Sequence, residues 1–496
     1  MKALMVQGTS SGAGKTTVCT ALCRIFADMG YSVAPFKALN ISLNSCVASD
    51  GGEIASAQRV QAIAAKTEPV SEMNPVLLKP DYGGCQVIIS GRYAGRIERA
   101  GSFCWKQEKA KEAIRNSIDR LSTYDIVVME GSGSPAEINL ADRDLANAYA
   151  AGIADASVML VSDIDRGGAF ASVLGTWELL DEDSRRRTFG FLFNRMRGNG
   201  RILRKGTVKI ESRTGMNYLG SVPFMEELSL PEEDSLSLKD KGTGRGDIRI
   251  SAIRTPFLSN YSDFAPLMFE KGISFRFAND VEDCRSSDLI IVGGSKNSSE
   301  DLQFIKREGF DSMLWDWHED ARPLFAICGG YQMLSGEIID TGHIESKRDR
   351  TCGVGIFNAK TKMSPVKITS NVEGEILNPT GMRAETVKGY ELHFGVTETR
   401  NSNRFIRIRE RDGRIDGGFD GEIDGSATGT YVHGLFSNTG FFQRVLDSIC
   451  ESRGIEKIAV SGEIEEKAIK RISLAVKRSV SLDVILNALE LRSRKR

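Results

Sequence analysis

Length, composition and charge narrow the classes of protein to which this chain can belong. Its 496 residues are enough for two or three domains with large buried cores. The 65 Lys and Arg residues balance 66 Asp and Glu residues, and the formal net charge of -1 creates no field that favours nucleic acid or an anionic membrane. We therefore expect neither a nucleic-acid partner nor a membrane partner.

The cysteines indicate a reducing compartment. There are nine of them, without a C-x-x-C pair, and their scattered spacing fits neither a disulfide framework nor a zinc site. The opening residues MKALMVQ are too short an apolar run for a signal peptide, and no run approaches the length of a membrane span. The sequence thus predicts a cytoplasmic protein.

Short apolar runs alternate with helical stretches in two series, which predicts two α/β domains. Continuous β-branched runs separated by helices indicate a mostly parallel sheet with helices on both faces. The runs of the first series, from residue 3 to about 225, are ALMV, VAPF, QVIIS, DIVVME, SVMLVS and FGFLF. The second series begins with IRISAIR, DLIIVGG and PLFAICGG.

Composition and helical spacing set the predicted boundaries. The segment KDKGTGRGD is rich in charge and glycine, so we predict a linker over residues 236–247, between a first domain of residues 1–235 and a second domain of residues 248–441. Apolar residues at helical spacing predict a helical C-terminal extension over residues 442–496. The sequence leaves open whether this extension packs on a domain or forms an oligomer interface, and the oligomeric state is unknown.

Residues 8–17, GTSSGAGKTT, predict a phosphate-binding loop between the first strand and a helix. Glycines allow backbone N–H groups to surround phosphate oxygens, the lysine supplies a cation to the outer phosphates, and a threonine hydroxyl can bind Mg²⁺. The first glycine lies one residue further from the Gly-Lys-Thr than in the commonest spacing, and a threonine stands in its place. The alternative, a turn that only caps the helix, is disfavoured by this context. The predicted nucleotide-binding residues of the loop are Thr9, Gly12, Gly14, Lys15, Thr16 and Thr17.

Two carboxylates are candidates to bind Mg²⁺ together with Thr16. A metal at the phosphates needs oxygen ligands from the C-terminal ends of neighbouring strands. Glu130 ends the apolar run DIVVME, where an acid is seldom without a function, and Asp50 lies in the glycine-rich DGGE. Asp50 has a structural alternative, because an aspartate at this position can cap the helix that follows.

Cys328 is the predicted nucleophile of the second domain. The apolar run PLFAI breaks at Cys328-Gly329-Gly330 and resumes as a helix, and small glycines permit the tight strand-to-helix turn that exposes a nucleophile. A helix N-terminus and a neighbouring base would convert the thiol to a reactive thiolate. The structural alternative is a buried cysteine that acts as a small apolar residue.

Among the four histidines we favour His433, in GTYVHGLF, as the base. His393, in GYELHFG, is a second candidate, although a histidine within a strand is more often part of the core or faces a substrate. The backbone N–H groups of Gly294 and Gly329 are the predicted oxyanion hole. The strand DLIIV, which ends just before Gly294, should neighbour the nucleophile strand in an open sheet.

Motifs along the whole chain resemble those of the cobyric acid synthase family, whose first half is similar to dethiobiotin synthetase and whose second domain is similar to class I glutamine amidotransferases. The segments are VQGTSSGAGKTT, LNISLNS, DGGEIASAQ, MEGSGSPAEINL, DIDRGGAFAS, FNRMRG, GGSKN, CGGYQML, GYELHFG and GTYVHGLF. The resemblance implies a P-loop NTPase-like domain followed by a flavodoxin-like class I glutaminase domain.

The resemblance also implies an activity. The family amidates the b, d, e and g carboxylates of adenosylcobyrinic acid a,c-diamide, using ATP, Mg²⁺ and L-glutamine, so a corrinoid is the expected second substrate. Carried over by motif, Cys328 forms the glutamyl thioester, His433 is its base and Asn194 reads adenine. By the same motifs, Asp50 and Glu130 bind the metal. The residues expected near the corrinoid carboxylates are Asn40, Asn44 and Ser45.

This chain departs from the family at a few positions. Ala38-Leu39 stand where the family usually has Pro-Gln, and Gly293 stands where its oxyanion strand usually ends in Pro. As in the rest of the family, no Pro-Glu follows His433 to complete the triad of other class I glutaminases. The group that orients the imidazole therefore stays open.

Three alternatives accompany this interpretation. Cobyrinic acid a,c-diamide synthase uses the same parts on an earlier substrate, but LNISLNS and SPAEINL favour cobyric acid synthases. A ParA-like nucleotide switch would explain the phosphate loop but not CGGYQML and GTYVHGLF. A glutaminase domain that only binds is disfavoured because Cys328 and His433 are both present.

Since ammonia is protonated in water at neutral pH, we also expect a protected path between the two sites.

Overall fold

The computed structural model describes residues 1–81, 84–98, 104–225, 246–377 and 385–491. All but the last two residues of the predicted linker over 236–247 lie outside these ranges. Within the ranges, none of the helices combines the length and the apolar character that a membrane crossing requires.

The first half of the chain alternates strands and helices, as its apolar runs predict. Its strands are β1 (Lys2–Gly8), β2 (Val33–Phe36), β3 (Leu39–Ile41), β4 (Ser45–Val47), β5 (Glu53–Ala55), β6 (Val76–Asp81), β7 (Gly84–Ile89), β8 (Arg92–Ile97), β9 (Ile126–Glu130), β10 (Ser157–Asp163), β11 (Thr188–Met196) and β12 (Asn217–Pro223). Its helices are α1 (Lys15–Asp28), α2 (Ser56–Ala64), α3 (Cys104–Leu121), α4 (Ala148–Ile153), α5 (Ala169–Leu179), α6 (Glu182–Arg187) and α7 (Arg204–Thr214).

Six of these strands form a parallel sheet in the order β12-β11-β10-β1-β9-β2. Side chains of β1 alternate between the two faces: Leu4 and Val6 pack in one apolar cluster with residues of α1, and Ala3 and Met5 pack in another with residues of α3. Because β1 lies between β9 and β10, the residues that follow these three strands meet at one edge of the sheet. This edge carries the phosphate loop and Glu130.

The run QVIIS, which we expected in the parallel sheet, belongs to a different sheet. It forms most of β7, which pairs antiparallel with β6 and β8 in a four-stranded sheet with β3. Only a few residues separate β6 from β7, with Asp81 paired to Gly84. So short a connection makes a hairpin, whereas a parallel pair needs a long crossover.

The second half of the chain begins as another α/β unit. Its strands are β13 (Ile248–Ile253), β14 (Leu258–Ser259), β15 (Ile273–Ala278), β16 (Leu289–Val292), β17 (Gly294–Ser295), β18 (Leu324–Ile327), β19 (Ser335–Ile339), β20 (Arg350–Cys352), β21 (Phe357–Ile376), β22 (Glu385–Thr399), β23 (Arg404–Arg411), β24 (Arg414–Ile415), β25 (Phe419–Asp424) and β26 (Ala427–Thr430). Its helices are α8 (Ala265–Phe269), α9 (Glu282–Arg285), α10 (Ser298–Arg307), α11 (Phe310–Glu319), α12 (Gly329–Leu334), α13 (Thr439–Arg453), α14 (Ile464–Ser479) and α15 (Leu482–Ala488).

Strands β15-β13-β16-β18-β26 are parallel, which places β16 beside the nucleophile strand β18 as expected. Beyond β26 the sheet continues through the antiparallel strands β25, β23 and β21. The long strands β21 and β22 pair as a hairpin whose register shifts between Met363 and Ile368. This irregular stretch, which the sequence did not predict, lies beside the site described below.

The C-terminal helices divide between the two halves of the molecule. Helix α13 contributes Phe442, Leu446 and Ile449 to the apolar core of the second half, so the predicted boundary at residue 442 falls inside this helix. Helices α14 and α15 return to the first half and pack in the same apolar cluster as α1. The pair Arg24–Glu466, with 2.6 Å between nitrogen and oxygen, fixes α14 against α1. The two ends of the chain are thereby joined in one core.

The core position Ile472 in α14 tests this packing. Its side chain is fully buried, so Ile472→Ala should lower the free energy of unfolding by about 2–5 kcal/mol. Leu474 lies on the same helix with 48% of its surface exposed, and Leu474→Ala should stay within about 0.5 kcal/mol of wild type. Denaturant unfolding curves measure both, and equal effects would contradict the packing of α14 on the first half.

Candidate functional site

The phosphate loop closes around the side chain of Lys15. The Lys15 Nζ donates hydrogen bonds to the backbone oxygens of Ser10, at 3.2 Å, and Gly133, at 2.9 Å. Gly14 has a φ of 95°, a left-handed conformation that favours glycine, immediately before α1 begins. The first backbone N–H groups of α1 have no intrahelical acceptor and point toward the loop, where they can bind phosphate oxygens.

Other predicted nucleotide-binding residues lie around this loop. The Thr9 hydroxyl donates to Ser162 Oγ at 2.9 Å, and Thr17 lies in the first turn of α1. Asn194 Nδ2 donates to the Ala13 carbonyl at 3.0 Å, so its side chain supports the loop from the end of β11. Its predicted contact with adenine stays a prediction.

Glu130 is the centre of a buried polar cluster at the end of β9. Its carboxylate accepts hydrogen bonds from Thr16 Oγ1 and Lys37 Nζ, both at 2.9 Å, and from Gln61 Nε2 at 2.6 Å. Burial opposes the negative charge, but the Lys37 ammonium and these hydrogen bonds outweigh burial and hold the pKa of Glu130 below its usual value. Glu130 is therefore charged at neutral pH. A carboxylate and a hydroxyl side by side are hard oxygen ligands that suit Mg²⁺.

Asp50, the other predicted metal ligand, holds a turn. Its carboxylate accepts hydrogen bonds from the backbone N–H of Gly52 and from both the N–H and the hydroxyl of Ser71. Neither the phosphate loop nor the Glu130 cluster is among these partners. Asp50 does not cap helix α2, whose N-cap residue is Ala55, and its role as a metal ligand stays a prediction.

The residues predicted to lie near the corrinoid carboxylates are buried. Asn40 Nδ2 donates to Gln58 Oε1 at 2.9 Å, and Ser45 Oγ donates to Glu53 Oε1 at 2.9 Å. Asn44 Oδ1 accepts a hydrogen bond from the backbone N–H of Ser262 in the second half of the chain. This segment therefore forms part of the contact between the two halves.

Cys328 lies in a strained turn between β18 and α12. Its φ of 53° and ψ of -107° are unusual for a residue other than glycine, and its backbone N–H donates to the Thr430 carbonyl at 2.7 Å. An added Cβ at Gly330 would lie 2.0 Å from the Val292 carbonyl oxygen, so only glycine fits this turn. The thiol is thereby held at the N-terminus of α12.

His433 is oriented by Asp263, a residue to which the sequence analysis gave no role. Asp263 Oδ2 accepts the His433 Nδ1–H at 2.7 Å, and Asp263 Oδ1 accepts the Gly434 N–H at 2.8 Å. The ring of Tyr390 stacks on the imidazole with 5.1 Å between ring centres. Burial disfavours the imidazolium, but Asp263 and Cys328 outweigh burial and raise the pKa of His433. The imidazole can therefore hold a proton beside a thiolate.

The second ring nitrogen of His433, Nε2, faces the cavity that Cys328 lines. This nitrogen is buried without a hydrogen-bond partner among the described residues, and Cys328 and His433 line one small cavity. His393, the second candidate base, also lines this cavity, but burial lowers its pKa to about 4. Its Nδ1 lies 2.5 Å from the Gly395 carbonyl. The geometry favours His433 as the base.

The two predicted oxyanion-hole glycines lie next to the reacting residues. Gly329 is the first residue of α12, so its N–H has no intrahelical acceptor. Gly294 pairs with Ser259 in a short antiparallel ladder, and an added Cβ there would lie 3.3 Å from His433 Cε1. Both glycines adjoin the reacting groups, and their role as oxyanion donors stays a prediction.

Sequence reasoning missed two of the groups that shape these sites. Lys37 directly follows the buried strand β2, which is the same signal that singled out Glu130 on β9. Asp263 gave no such signal, because it lies in a short helical turn 170 residues before His433. Only the fold brings it to the imidazole.

Comparison with known families agrees with this geometry. Residues 4–238 match the CobQ/CobB/MinD/ParA nucleotide binding domain, and residues 249–441 match the CobB/CobQ-like glutamine amidotransferase domain. The chain is 43% identical to the probable cobyric acid synthase of Methanothermobacter thermautotrophicus, with 99% of each chain covered. The chain belongs to the cobyric acid synthase family.

Further members of this family match over the same extent. The probable cobyric acid synthase of Thermococcus kodakarensis is 41% identical, covering 99% of this chain and all of the relative. Among solved structures, PurLQS from Thermotoga maritima superimposes with a TM-score of 0.29 at 15% identity, over 46% of this chain and 97% of that chain. A structural likeness of this size carries no argument. The full-length relatives make the chain a glutamine-dependent amidotransferase and disfavour a ParA-like switch.

The hydrogen bond from His433 to Asp263 can be tested by Asp263→Asn. Loss of the carboxylate charge removes what keeps the imidazole protonated, so the pKa of His433 should fall and Cys328 should form a thiolate only at higher pH. Glutamine hydrolysis should drop about 10²- to 10⁴-fold.

The measurement is the rate of Cys328 alkylation by iodoacetamide as a function of pH, beside the rate of glutamine hydrolysis. We expect the midpoint of the alkylation profile to move to higher pH. Asp283→Asn, at a part-exposed pair with Arg276, is the matched control and should leave both rates unchanged. An unaltered profile in Asp263→Asn would contradict the assigned role of Asp263.

Proposed function

We propose that this protein is a cobyric acid synthase that amidates the b, d, e and g carboxylates of adenosylcobyrinic acid a,c-diamide, using ATP and L-glutamine. The observation that carries the proposal is that one chain holds a phosphate loop with a buried acid and, in its other half, a Cys328-His433-Asp263 constellation. The names of its full-length relatives support the choice of substrate.

The first half would activate the carboxylate. A carboxylate is a poor acyl donor, and transfer of the γ-phosphoryl group from ATP converts it to an acyl phosphate with release of ADP. Lys15 and the N–H groups at the start of α1 would hold the phosphates, and Asn194 would adjoin the base. Thr16 and Glu130 are the residues that would hold Mg²⁺, which would neutralise charge on the phosphates. Asp50, whose carboxylate holds a turn in this structure, remains a proposed further ligand of the metal.

The second half would supply ammonia. The Cys328 thiolate attacks the side-chain amide carbon of glutamine, and the C–N bond breaks as His433 protonates the leaving ammonia. The N–H groups of Gly294 and Gly329 would bind the oxyanion. Water activated by His433 then hydrolyses the thioester to glutamate. The ammonia attacks the acyl phosphate, and inorganic phosphate leaves as the amide forms.

The corrinoid site is proposed to adjoin Asn40, Asn44 and Ser45, next to the Glu130 cluster. Gln61 of α2 contacts Glu130, and Gln58 of the same helix contacts Asn40, so α2 links the two groups of residues.

We further propose a cytoplasmic location. The eight described cysteines are free thiols, which supports a reducing compartment.

A comparison of glutamine with ammonium as the nitrogen source distinguishes the activities of the two halves. We expect Cys328→Ala to lose amide formation from glutamine and to retain it from ammonium, because only the glutaminase step needs the thiolate. Cys352→Ala removes an exposed thiol of the same half and should behave as wild type. The measurement is amidated product from adenosylcobyrinic acid a,c-diamide with ATP and Mg²⁺, by mass spectrometry. Wild type that amidates this corrinoid from neither nitrogen source would contradict the proposal.

Glu130→Gln should impair the synthetase half and leave the Cys328 site intact. It keeps the shape of the side chain but removes the charge that Thr16, Lys37 and a metal would share. Amide formation from both glutamine and ammonium should fall at least about 10²-fold. Cys328 should still react with iodoacetamide at the wild-type rate. An active Glu130→Gln variant would exclude Glu130 from the phosphoryl-transfer step.

A further inference from the structure

The cavity that holds Cys328 borders a buried group of charged residues, which we name the lysine cluster. Its members come from both halves of the chain and are Glu53, Lys79, Lys296, Glu345 and Lys367. Lys296, Glu345 and Lys367 line the cavity of Cys328 and His433. None of these five residues is required by the chemical steps described above.

The lysine cluster is held together by one carboxylate. Glu53 pairs with Lys79 at 2.6 Å and also with Lys367, and all three side chains are at most 4% exposed. Lys296, only 7% exposed, lies beside Lys79 and Lys367. Three buried lysines therefore meet the buried Glu53 and the part-buried Glu345.

The lysine cluster contains more lysines than carboxyl groups. Burial and Lys367 lower the pKa of Lys296, while burial and the neighbouring ammonium groups lower the pKa of Lys79 to about 7 and of Lys367 to about 8. Lysines buried together are costly to keep charged unless an anion joins them. An incoming carboxylate would supply the missing charge at Lys296 and Lys367, which are the lysines on the cavity side.

The same cavity offers groups for a cation. Burial raises the pKa of Glu345 to about 7, and an ammonium beside it would favour its ionised form. His393 adds an acceptor: its Nδ1 adjoins the Gly395 carbonyl and so carries the proton, and its Nε2 is buried without a partner among the described residues. The lining of the cavity thus contains both cationic and acceptor groups.

Lys367 lies at an irregularity in the pairing of β21 with β22. The register of the β21–β22 hairpin shifts between Met363 and Ile368, and Lys367 lies in the shifted stretch. Lys296 follows the short strand β17, which carries Gly294, so both lysines are fixed by the backbone that surrounds Cys328.

We propose that Lys296 and Lys367 bind the α-carboxylate of the amino-acid substrate and that Glu345 binds its α-ammonium group, while the side-chain amide lies at Cys328. This inference rests on the proposed glutaminase activity and adds to it the residues that recognise a free α-amino acid. The site would reject amides that lack either charged group.

Two glutamine analogues test each half of this recognition. 4-Aminobutanamide lacks the α-carboxylate, and 4-carbamoylbutanoate lacks the α-ammonium group. Wild type should hydrolyse both with a kcat/KM at least about 100-fold below that for glutamine. Lys296→Met should lower kcat/KM for glutamine about 10- to 100-fold and leave the value for 4-aminobutanamide unchanged, because this analogue makes no contact with Lys296.

Glu345→Gln should show the converse pattern, with a loss for glutamine and none for 4-carbamoylbutanoate. Lys306→Met, which removes a lysine outside the cavity, is the matched control and should keep wild-type discrimination. Lys296→Arg keeps the cation and should restore part of the preference for glutamine. All variants should retain wild-type amide formation from ammonium, which shows that they are folded.

The outcomes distinguish the two proposals. If Lys296→Met keeps the wild-type ratio between glutamine and 4-aminobutanamide, the assignment of the lysines is overturned while the glutaminase activity stands. Wild type that does not discriminate between glutamine and the analogues also overturns it, without need of any variant. Wild type that hydrolyses no glutamine overturns both this inference and the proposed function.

Discussion

The hydrogen bond between Asp263 and His433 is the constraint on which the geometry of the Cys328 site depends. It selects the Nδ1–H form of the imidazole and leaves Nε2 toward Cys328. Asp263 is itself held by its surroundings: the Asn260 N–H donates to the Leu43 carbonyl, and the Ser262 N–H donates to Asn44 Oδ1. The base of the second half is therefore positioned in part by the first half.

Two further contacts join the Cys328 site of the second half to the first half. The Tyr390 hydroxyl donates to the Ser45 carbonyl while its ring stacks on His433, and Lys367 of the cysteine cavity pairs with Glu53. A displacement of the segment around Ser45 would therefore reach the imidazole through packed, hydrogen-bonded groups. The cavity around Cys328, which is 6% exposed, is bordered by the contact between the halves. Ammonia formed there would begin its path beside residues of the synthetase half.

The sequence predicted the features that depend on a few adjacent residues. The phosphate loop, Glu130 at the end of a strand and the turn at Cys328 each follow from a few adjacent residues, and alternation of strands and helices gave the fold class. Lys37 could have been found by the strand-end argument that found Glu130. Asp263 and the lysine cluster could not, because their neighbours lie far away in the chain and depend on how the two halves meet. The misplaced run QVIIS has a similar cause, since a continuous apolar run does not reveal which sheet it joins.

The sequence predicts that ammonia passes from Cys328 to the synthetase half without mixing with the solvent, and this prediction can be tested directly. The most direct measurement is amide formation from glutamine labelled with ¹⁵N in its side-chain amide, in the presence of excess unlabelled ammonium, with mass spectrometry of the corrinoid product. If ammonia stays separate from the solvent, the new amides should carry mostly ¹⁵N. Product whose isotope ratio equals that of the mixed ammonia pool would contradict it.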